Sequence, residues 1–392
     1  MIFPFLLFYI YFIAFVKRRP SLRVPGLWAF ALFFLLYVLG TFAYSSQMPG
    51  AQTSILLAAT GLPAYLFAAN MSHAEVRWLI RTVVALAAIE TGLVALESTR
   101  IIPAIFRLTF DNGVTGVQQG NTILKGNIRG TGTMAHALPF GFLVITACAM
   151  VTSRNPLFRT PWALRILMFA IAAAGCIYAS ARSSLVIVLV LGVITLPIGK
   201  PIARGLQAVA LAIIGLFGLI SSGFFTSTAV NNLLDSGSVY HRVDILQIIP
   251  HLFGLSPVHF LLGQGKNAAS LLTSYLPNDG LLAIDNQLLS AFLTTGLFGL
   301  AFFVTMIVRA FRRGRGWRLV LVSQLSMFGI FDLVLWQSSL ALFAAVLGML
   351  ASGTMSGTRN SAHQLRDAYP HFAGHGTSDE QKVASPPGVK SA

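Results

Sequence analysis

Charge is what this chain has least of. Only 10% of its 392 residues are Asp, Glu, Lys or Arg, and just 12 are acidic. A soluble domain carries about a quarter, so water is not the main solvent of this polypeptide. Cysteine is almost absent too. Cys148 and Cys176 both fall inside apolar runs, where each reads as a packed core residue with no disulfide implied. There is no Walker-type phosphate loop, no Gly-x-Gly-x-x-Gly at a strand-to-helix junction and no paired-cysteine metal spacing. His363, His371 and His375 lack a cysteine or acidic partner at ligand spacing, so neither a metal site nor a cofactor is expected.

What the chain has is apolar helix. About eleven runs stand out: 2–16, 27–44, 53–70, 78–97, 133–152, 164–180, 183–199, 205–224, 285–310, 318–335 and 338–352. Several sit near the ~17-residue lower limit for a membrane span. The stretch 163–199 would be ~55 Å long as one helix, nearly twice the hydrocarbon thickness. It must double back, and Ser180-Ala181-Arg182-Ser183-Ser184 is the hinge. The expected fold is an all-α polytopic membrane protein with about eleven transmembrane helices over 1–352. One large polar loop interrupts it at 225–284, and a Ser-, Gly- and Pro-containing tail at 353–392 reads as disordered.

Basic residues orient the chain. Placing Lys17, Arg18, Arg19 and Arg23 in the cytoplasm puts about twenty of the 27 Lys and Arg there, as the positive-inside rule requires. The net charge of +15 then reflects topology, and nucleic acid is not expected as a partner. The amino terminus falls outside and the carboxyl terminus inside. Met1–Val16 lacks a preceding basic residue and is followed by Lys-Arg-Arg, which argues against a cleaved signal peptide. A reverse anchor fits that arrangement, as does a missing first span.

Seven basic residues stay on the outer side against the sorting rule: Arg100, Arg107, Lys125, Arg129, Arg182, Arg242 and Lys266. Arg129 lies in Gly126-Asn127-Ile128-Arg129-Gly130-Thr131-Gly132, Arg182 at the hinge, and Arg242 shortly after 205–224. All three fall near the outer membrane–water boundary, in or near polar segments. A partly desolvated guanidinium there favours a doubly charged anion, and a lipid pyrophosphate presents one at that depth. The alternative is arginines that snorkel to headgroups or pair with Asp111, Asp235 and Asp244.

Glu90 and Glu97 lie seven residues apart, on roughly one helix face, and the deeper Glu90 must face protein or water. Asp285 and Asn286 open the ninth run. Asp285 is either a helix cap or a general base facing the outer leaflet. Asp332, near the outer end of the tenth run, is either an arginine's partner or the base. His241 beside Arg242 is polar enough for a headgroup contact. Gly263-Gln264-Gly265, followed by Lys266, reads as a turn. Val243–Leu262 reads as an amphipathic segment on the outer surface, broken by Pro250 and Pro257.

The order of these motifs resembles a known family. Asn127-Ile128-Arg129-Gly130-Thr131-Gly132-Thr133 precedes a span, followed by Ser180-Ala181-Arg182-Ser183. Tyr240-His241-Arg242 lies in the large loop, then Leu262-Gly263-Gln264-Gly265. Asp285-Asn286-Gln287-Leu288-Leu289 runs into Gly296-Leu297-Phe298-Gly299-Leu300. Over about 110–350 this is similar to the O-antigen ligase and polysaccharide polymerase superfamily of bacterial inner-membrane glycosyltransferases.

The resemblance implies a GT-C-like, metal-independent inverting enzyme whose large loop and active face are periplasmic. Its donor would be an oligosaccharide on undecaprenyl pyrophosphate, with room for a chain-length regulator as partner. Arg129, Arg182 and Arg242 match the family's pyrophosphate-holding arginines, and His241, Asn286 and Lys266 join them as substrate-binding candidates. Asp285 stands where many relatives carry His, as the candidate base. That departure tilts the reading from ligase toward polymerase. A transporter of a lipid-linked sugar or anion would share the arginines, but calls for internal repeats and helices broken at mid-membrane. Gly-Leu-Phe-Gly-Leu occurs twice, at 215–219 and 296–300. A purely structural membrane partner leaves the outer arginines unexplained.

Overall fold

The computed structural model describes residues 21–44, 48–105, 120–121, 123–124, 126–153, 160–195, 249–268, 286–329, 332–333 and 336–352. Of the two units into which the chain divides, Met1–Met355 and Ser356–Ala392, only the first contains described residues. The apolar runs 2–16 and 205–224 and the tail 353–392 lie outside them.

Among the described residues the fold is all-α. The elements are α1 (Leu27–Tyr44), α2 (Met48–Ala69), α3 (His73–Ser98), α4 (Ala137–Thr152), α5 (Trp162–Tyr178) and α6 (Arg182–Thr195). Then come the short α7 (Ile249–Leu252) and α8 (Pro257–Leu262), α9 (Gln287–Arg313), α10 (Arg318–Leu325) and α11 (Gln337–Ser352). The β-type pairing present is an isolated antiparallel bridge between Gly120 and Ile128. α1, α2, α3 and α9 are long and apolar enough to cross a bilayer. α4, α5, α6 and α11 are apolar but shorter. The pattern is that of a membrane-embedded protein.

Local sequence explains the helix ends. Ser72 and Glu75 form a reciprocal capping box at the start of α3: the Ser72 hydroxyl accepts from the Glu75 N–H, and the Glu75 carboxylate accepts from the Ser72 N–H at 2.8 Å. Pro257 occupies the first position of α8 behind the cap Ser256. α4 is buried on nearly every side, as expected of a helix apolar all round. It packs against α3, α5 and α6 on one flank and α10 and α11 on the other. α1, α2, α9 and α11 form a second group around the rings of Phe30, Phe33, Phe34, Tyr65 and Phe303.

The expected hinge is present. α5 ends at Tyr178, Ser180 adopts a left-handed φ of 54°, and α6 starts at Arg182 and packs back against α5. One expectation needs correction. The run 318–335 is not one helix: α10 stops at Leu325 and turns follow through Gly329. Of the segment 243–262, expected on the outer surface, α7, α8 and the turn between them are described. They pack through Leu252, Leu255 and Phe260 against Phe292 and Leu293 of α9, while Phe253 and Val258 stay exposed.

α9 itself is broken. Gly296 has φ 68° and ψ −171° inside an otherwise continuous helix. A Cβ there would lie 2.3 Å from the Leu261 carbonyl oxygen, and one on Gly263 (φ 75°) would lie 2.4 Å from the Thr295 nitrogen. Backbone meets backbone at this crossing, which glycine alone permits. The Gly263-Gln264-Gly265 turn is thereby wedged between α9 and α1. Gln264 N–H donates to Leu293 O at 3.0 Å and Lys266 N–H to the Thr41 hydroxyl at 3.0 Å.

Candidate functional site

Arg129 lies in a loop stapled between two helix ends, and its guanidinium reaches the hinge that carries Arg182. At the C-terminal end of α5 the loop supplies donors to three carbonyls, of which Ile177 O also accepts the Ser180 N–H. Asn121 donates its side-chain amide to Ile177 O (3.0 Å) and Tyr178 O (2.9 Å), Gly130 N–H donates to Tyr178 O, and Arg129 Nε donates to Ala179 O at 3.1 Å. The Asn121 carbonyl accepts from Ile123 and Leu124 N–H, which shapes the loop locally. Arg129 therefore sits at the negative end of the α5 dipole, a favourable place for a cation.

The other side of the loop is held by two buried carboxylates of α3. Glu97 accepts the N–H groups of Thr131 and Gly132, each at 2.7 Å, on one oxygen and that of Ile105 at 2.7 Å on the other. Glu90, one helical repeat deeper, accepts the Thr133 N–H at 2.9 Å and the Thr133 hydroxyl. Ser98 adds a hydroxyl bond to Ile128 O. The expected common face is thus real, and both acids face protein. Close approach is possible because Gly130 has no Cβ to meet Val94 O, and Gly132 takes a φ of 57° beside Glu90.

This framework brings Arg129 within electrostatic reach of Arg182. Burial, and then the charge of Arg182, push the Arg129 guanidinium below its ordinary value. Arg182 begins α6, at the positive end of that helix, where a cation is disfavoured. Among the described residues no hydrogen bond or ion pair holds it. Two neighbouring cations, one of them at a helix N-terminus, form an electropositive spot that a bound anion would relieve.

His136 ends the same loop. Its Nδ1 accepts the Leu138 N–H at 3.2 Å and so caps α4, while its ring lies against Trp336 at 5.4 Å between centroids. Burial, and then Arg129, push its pKa down to about 4, so the ring is neutral at physiological pH. No protein-family model matches the chain, and no curated protein is significantly similar to it in sequence. The site therefore has to be read from its own chemistry.

The remaining candidates are distributed as follows. Asn286 caps α9: its side-chain oxygen accepts from Leu288 (3.1 Å) and Leu289 (3.0 Å) N–H. The cap role considered for Asp285 thus belongs to its neighbour, and Asp285 itself lies outside the described residues, as do His241 and Arg242. The Lys266 turn is placed against α1, α2 and α9, its N–H on the Thr41 hydroxyl. Asp332 is buried and accepts from the Ser290 hydroxyl. Because Gln287 N–H also donates to Phe328 O, the start of α9 is tied to the 328–336 segment, whose Trp336 reaches His136.

Sequence reasoning named Arg129 and Arg182 but missed Asn121, His136 and Trp336. A polar residue before an apolar run is a cap signal. Starting the run at 133 instead of 137 hid His136.

Proposed function

We propose that the chain is a glycosyltransferase of the bacterial inner membrane that uses a lipid-pyrophosphate donor on the periplasmic face. In this reading about eleven spans, GT-C-like, surround the site, and the C-terminus is cytoplasmic. The observation that carries the proposal is that Arg129, on a loop stapled by Glu90 and Glu97, is held on the Ala179 carbonyl at the hinge where Arg182 opens α6. Inverting transfer from undecaprenyl pyrophosphate develops negative charge on the leaving pyrophosphate, and fixed cations stabilise that charge. No metal is required for this neutralisation.

The acceptor hydroxyl needs a base, and Asp285, next to the α9 cap Asn286, is the candidate. The proposed reaction is polymerisation of a surface polysaccharide, O-antigen or exopolysaccharide, by transfer onto a second lipid-linked glycan. A ligase, passing the glycan to lipid A–core or protein, would use the same donor site.

A transporter of a lipid-linked sugar or anion is the second reading. It is favoured by one observation, the break at Gly296, about 15 Å into α9. The two part on bond cleavage. Purified protein in liposomes given lipid-linked repeat units alone should release undecaprenyl pyrophosphate and build a ladder of longer glycans. Movement of intact lipid-linked sugar without release would instead establish the transporter.

A further inference from the structure

The C-terminal end of α9 is strongly basic and has no acid to balance it. Arg309, Arg312, Arg313, Arg315 and Arg318 fall within ten residues. Residues 1–74 contain no Asp or Glu, and 286–366 contain one, Asp332. Asp332 accepts from Ser290 in the first turn of α9, so it belongs to the opposite end of that helix.

Two of the arginines are committed to the fold. Arg313 donates to Ala351 O at 3.3 Å, near the C-terminal end of α11. Arg318 donates through Nε to Phe311 O at 3.0 Å, its guanidinium 4.9 Å from the Phe311 ring centroid. Arg309 is placed differently. Its guanidinium lies 5.2 Å from the centroid of Trp28 on α1, and that ring meets Phe302 of α9 edge-on at 5.9 Å. Among the described residues no hydrogen bond or ion pair holds Arg309. An indole face steadies a guanidinium without using its N–H groups, which leaves a planar set of donors for an oxyanion.

The same contacts define a seam between α1 and α9. Trp28, Leu35 and Leu39 are exposed at helical spacing along one side of α1. Phe302 and Arg309 stand seven residues apart on one face of α9, with the exposed Phe298 one turn before them. The Trp28–Phe302 contact brings these two stripes together. The seam is apolar along its length and ends at the Arg309 guanidinium, with Arg312 one turn further on.

We propose that this seam binds an anionic glycerophospholipid of the surrounding bilayer, its phosphodiester on Arg309 and an acyl chain along Trp28, Leu35, Phe298 and Phe302. Charge complementarity selects the occupant. A zwitterionic lipid brings its own cation to the phosphate, whereas an anionic one offers the cluster an uncompensated charge. The proposal does not depend on the reaction assigned to the Arg129 loop.

The test uses the full chain in detergent, titrated with phosphatidylglycerol and with phosphatidylcholine, bound lipid being counted by native mass spectrometry. Wild type should bind phosphatidylglycerol about tenfold more tightly, and Arg309→Gln should lose that preference with one charge-assisted hydrogen bond. Arg81→Gln is the charge-matched control. Arg81 lies over Trp78 of its own helix at 5.9 Å, and α3 packs against α4 and α5, so phosphatidylglycerol affinity should stay at the wild-type value.

Wild-type affinity in a folded Arg309→Gln overturns the site. An equal loss in Arg81→Gln also overturns it, because the attraction would then be spread over the basic surface. Phosphatidylcholine binding as tightly as phosphatidylglycerol contradicts the role of charge. Displacement of phosphatidylglycerol by an equal concentration of glycerol 1-phosphate contradicts the seam. Should Arg309→Gln fail to fold, fluorescence of the intact chain decides. Phosphatidylglycerol brominated on its acyl chains should quench tryptophan emission more than brominated phosphatidylcholine, and Trp28→Phe should remove the excess. Equal quenching by the two lipids contradicts the proposal.

Discussion

The Glu97 carboxylate meets the backbone N–H of Gly132 at 2.7 Å, thirty-five residues away in sequence. Through that bond and its equal at Thr131, a buried acid on α3 fixes the loop whose Arg129 lies within electrostatic reach of Arg182. A carboxylate in a membrane helix is costly unless fully satisfied. Here three N–H groups satisfy Glu97, two of them from the loop that carries Arg129.

Glu97→Gln should therefore act on binding without touching the ligand. The glutamine amide turns an N–H toward backbone N–H groups and leaves a buried donor without an acceptor, at a cost of about 1–3 kcal/mol. Thermal unfolding in detergent should show the loss, and farnesyl pyrophosphate affinity should fall with it. Unchanged affinity in a destabilised Glu97→Gln would mean that the staple does not position Arg129.

Arg182 should trade stability against function. It places a cation at the N-terminus of α6 beside a second cation. Arg182→Gln should raise the stability of the ligand-free protein by about 0.3–1 kcal/mol, while weakening farnesyl pyrophosphate binding. An arginine serving only structure would do the reverse, and a drop in Tm for Arg182→Gln would indicate that.

The pH dependence of stability has a definite sign at His136. Its folded value of about 4 lies below the ordinary 6.5, so the unfolded chain takes up the proton first as pH falls. Stability contributed here is complete above pH 6.5 and declines as pH falls from 6.5 toward 4. Unfolding midpoints measured across that window should fall for wild type more steeply than for His136→Asn. Parallel profiles would remove His136 as their source.

Asn286 offers a split between cap and substrate contact. Asn286→Ala removes the acceptor for Leu288 and Leu289 and should cost about 1 kcal/mol. Asn286→Asp keeps the cap. If Asn286 also touches substrate, Asn286→Asp keeps its Tm but loses turnover in the liposome assay; wild-type turnover would restrict it to capping.

How much of this was legible in the sequence depends on range. Hydropathy placed α1 at 27–44, and the length of 163–199 required the bend at Ser180, because both follow from local composition and bilayer thickness. The seven-residue spacing put Glu90 and Glu97 on one face, but not what they would bind. Their partners, Thr131 to Thr133, lie across a loop, and such pairing is set by tertiary contact. The same holds for His136 against Trp336, two hundred residues apart in the chain. The run 318–335 misled because α10 gives way at Leu325 to turns that dock on the start of α9, where Phe328 O receives the Gln287 N–H. Apolar composition is the same in a span and in a buried turn.

The central claim is that Arg129 and Arg182 jointly hold a lipid pyrophosphate during glycan transfer. It is tested most directly by undecaprenyl pyrophosphate release from liposomes containing wild type, Arg129→Ala or Arg182→Ala, each supplied with lipid-linked repeat units. The account predicts release by wild type and its abolition, at unchanged membrane insertion, in both variants. Near-normal release by either variant would contradict it.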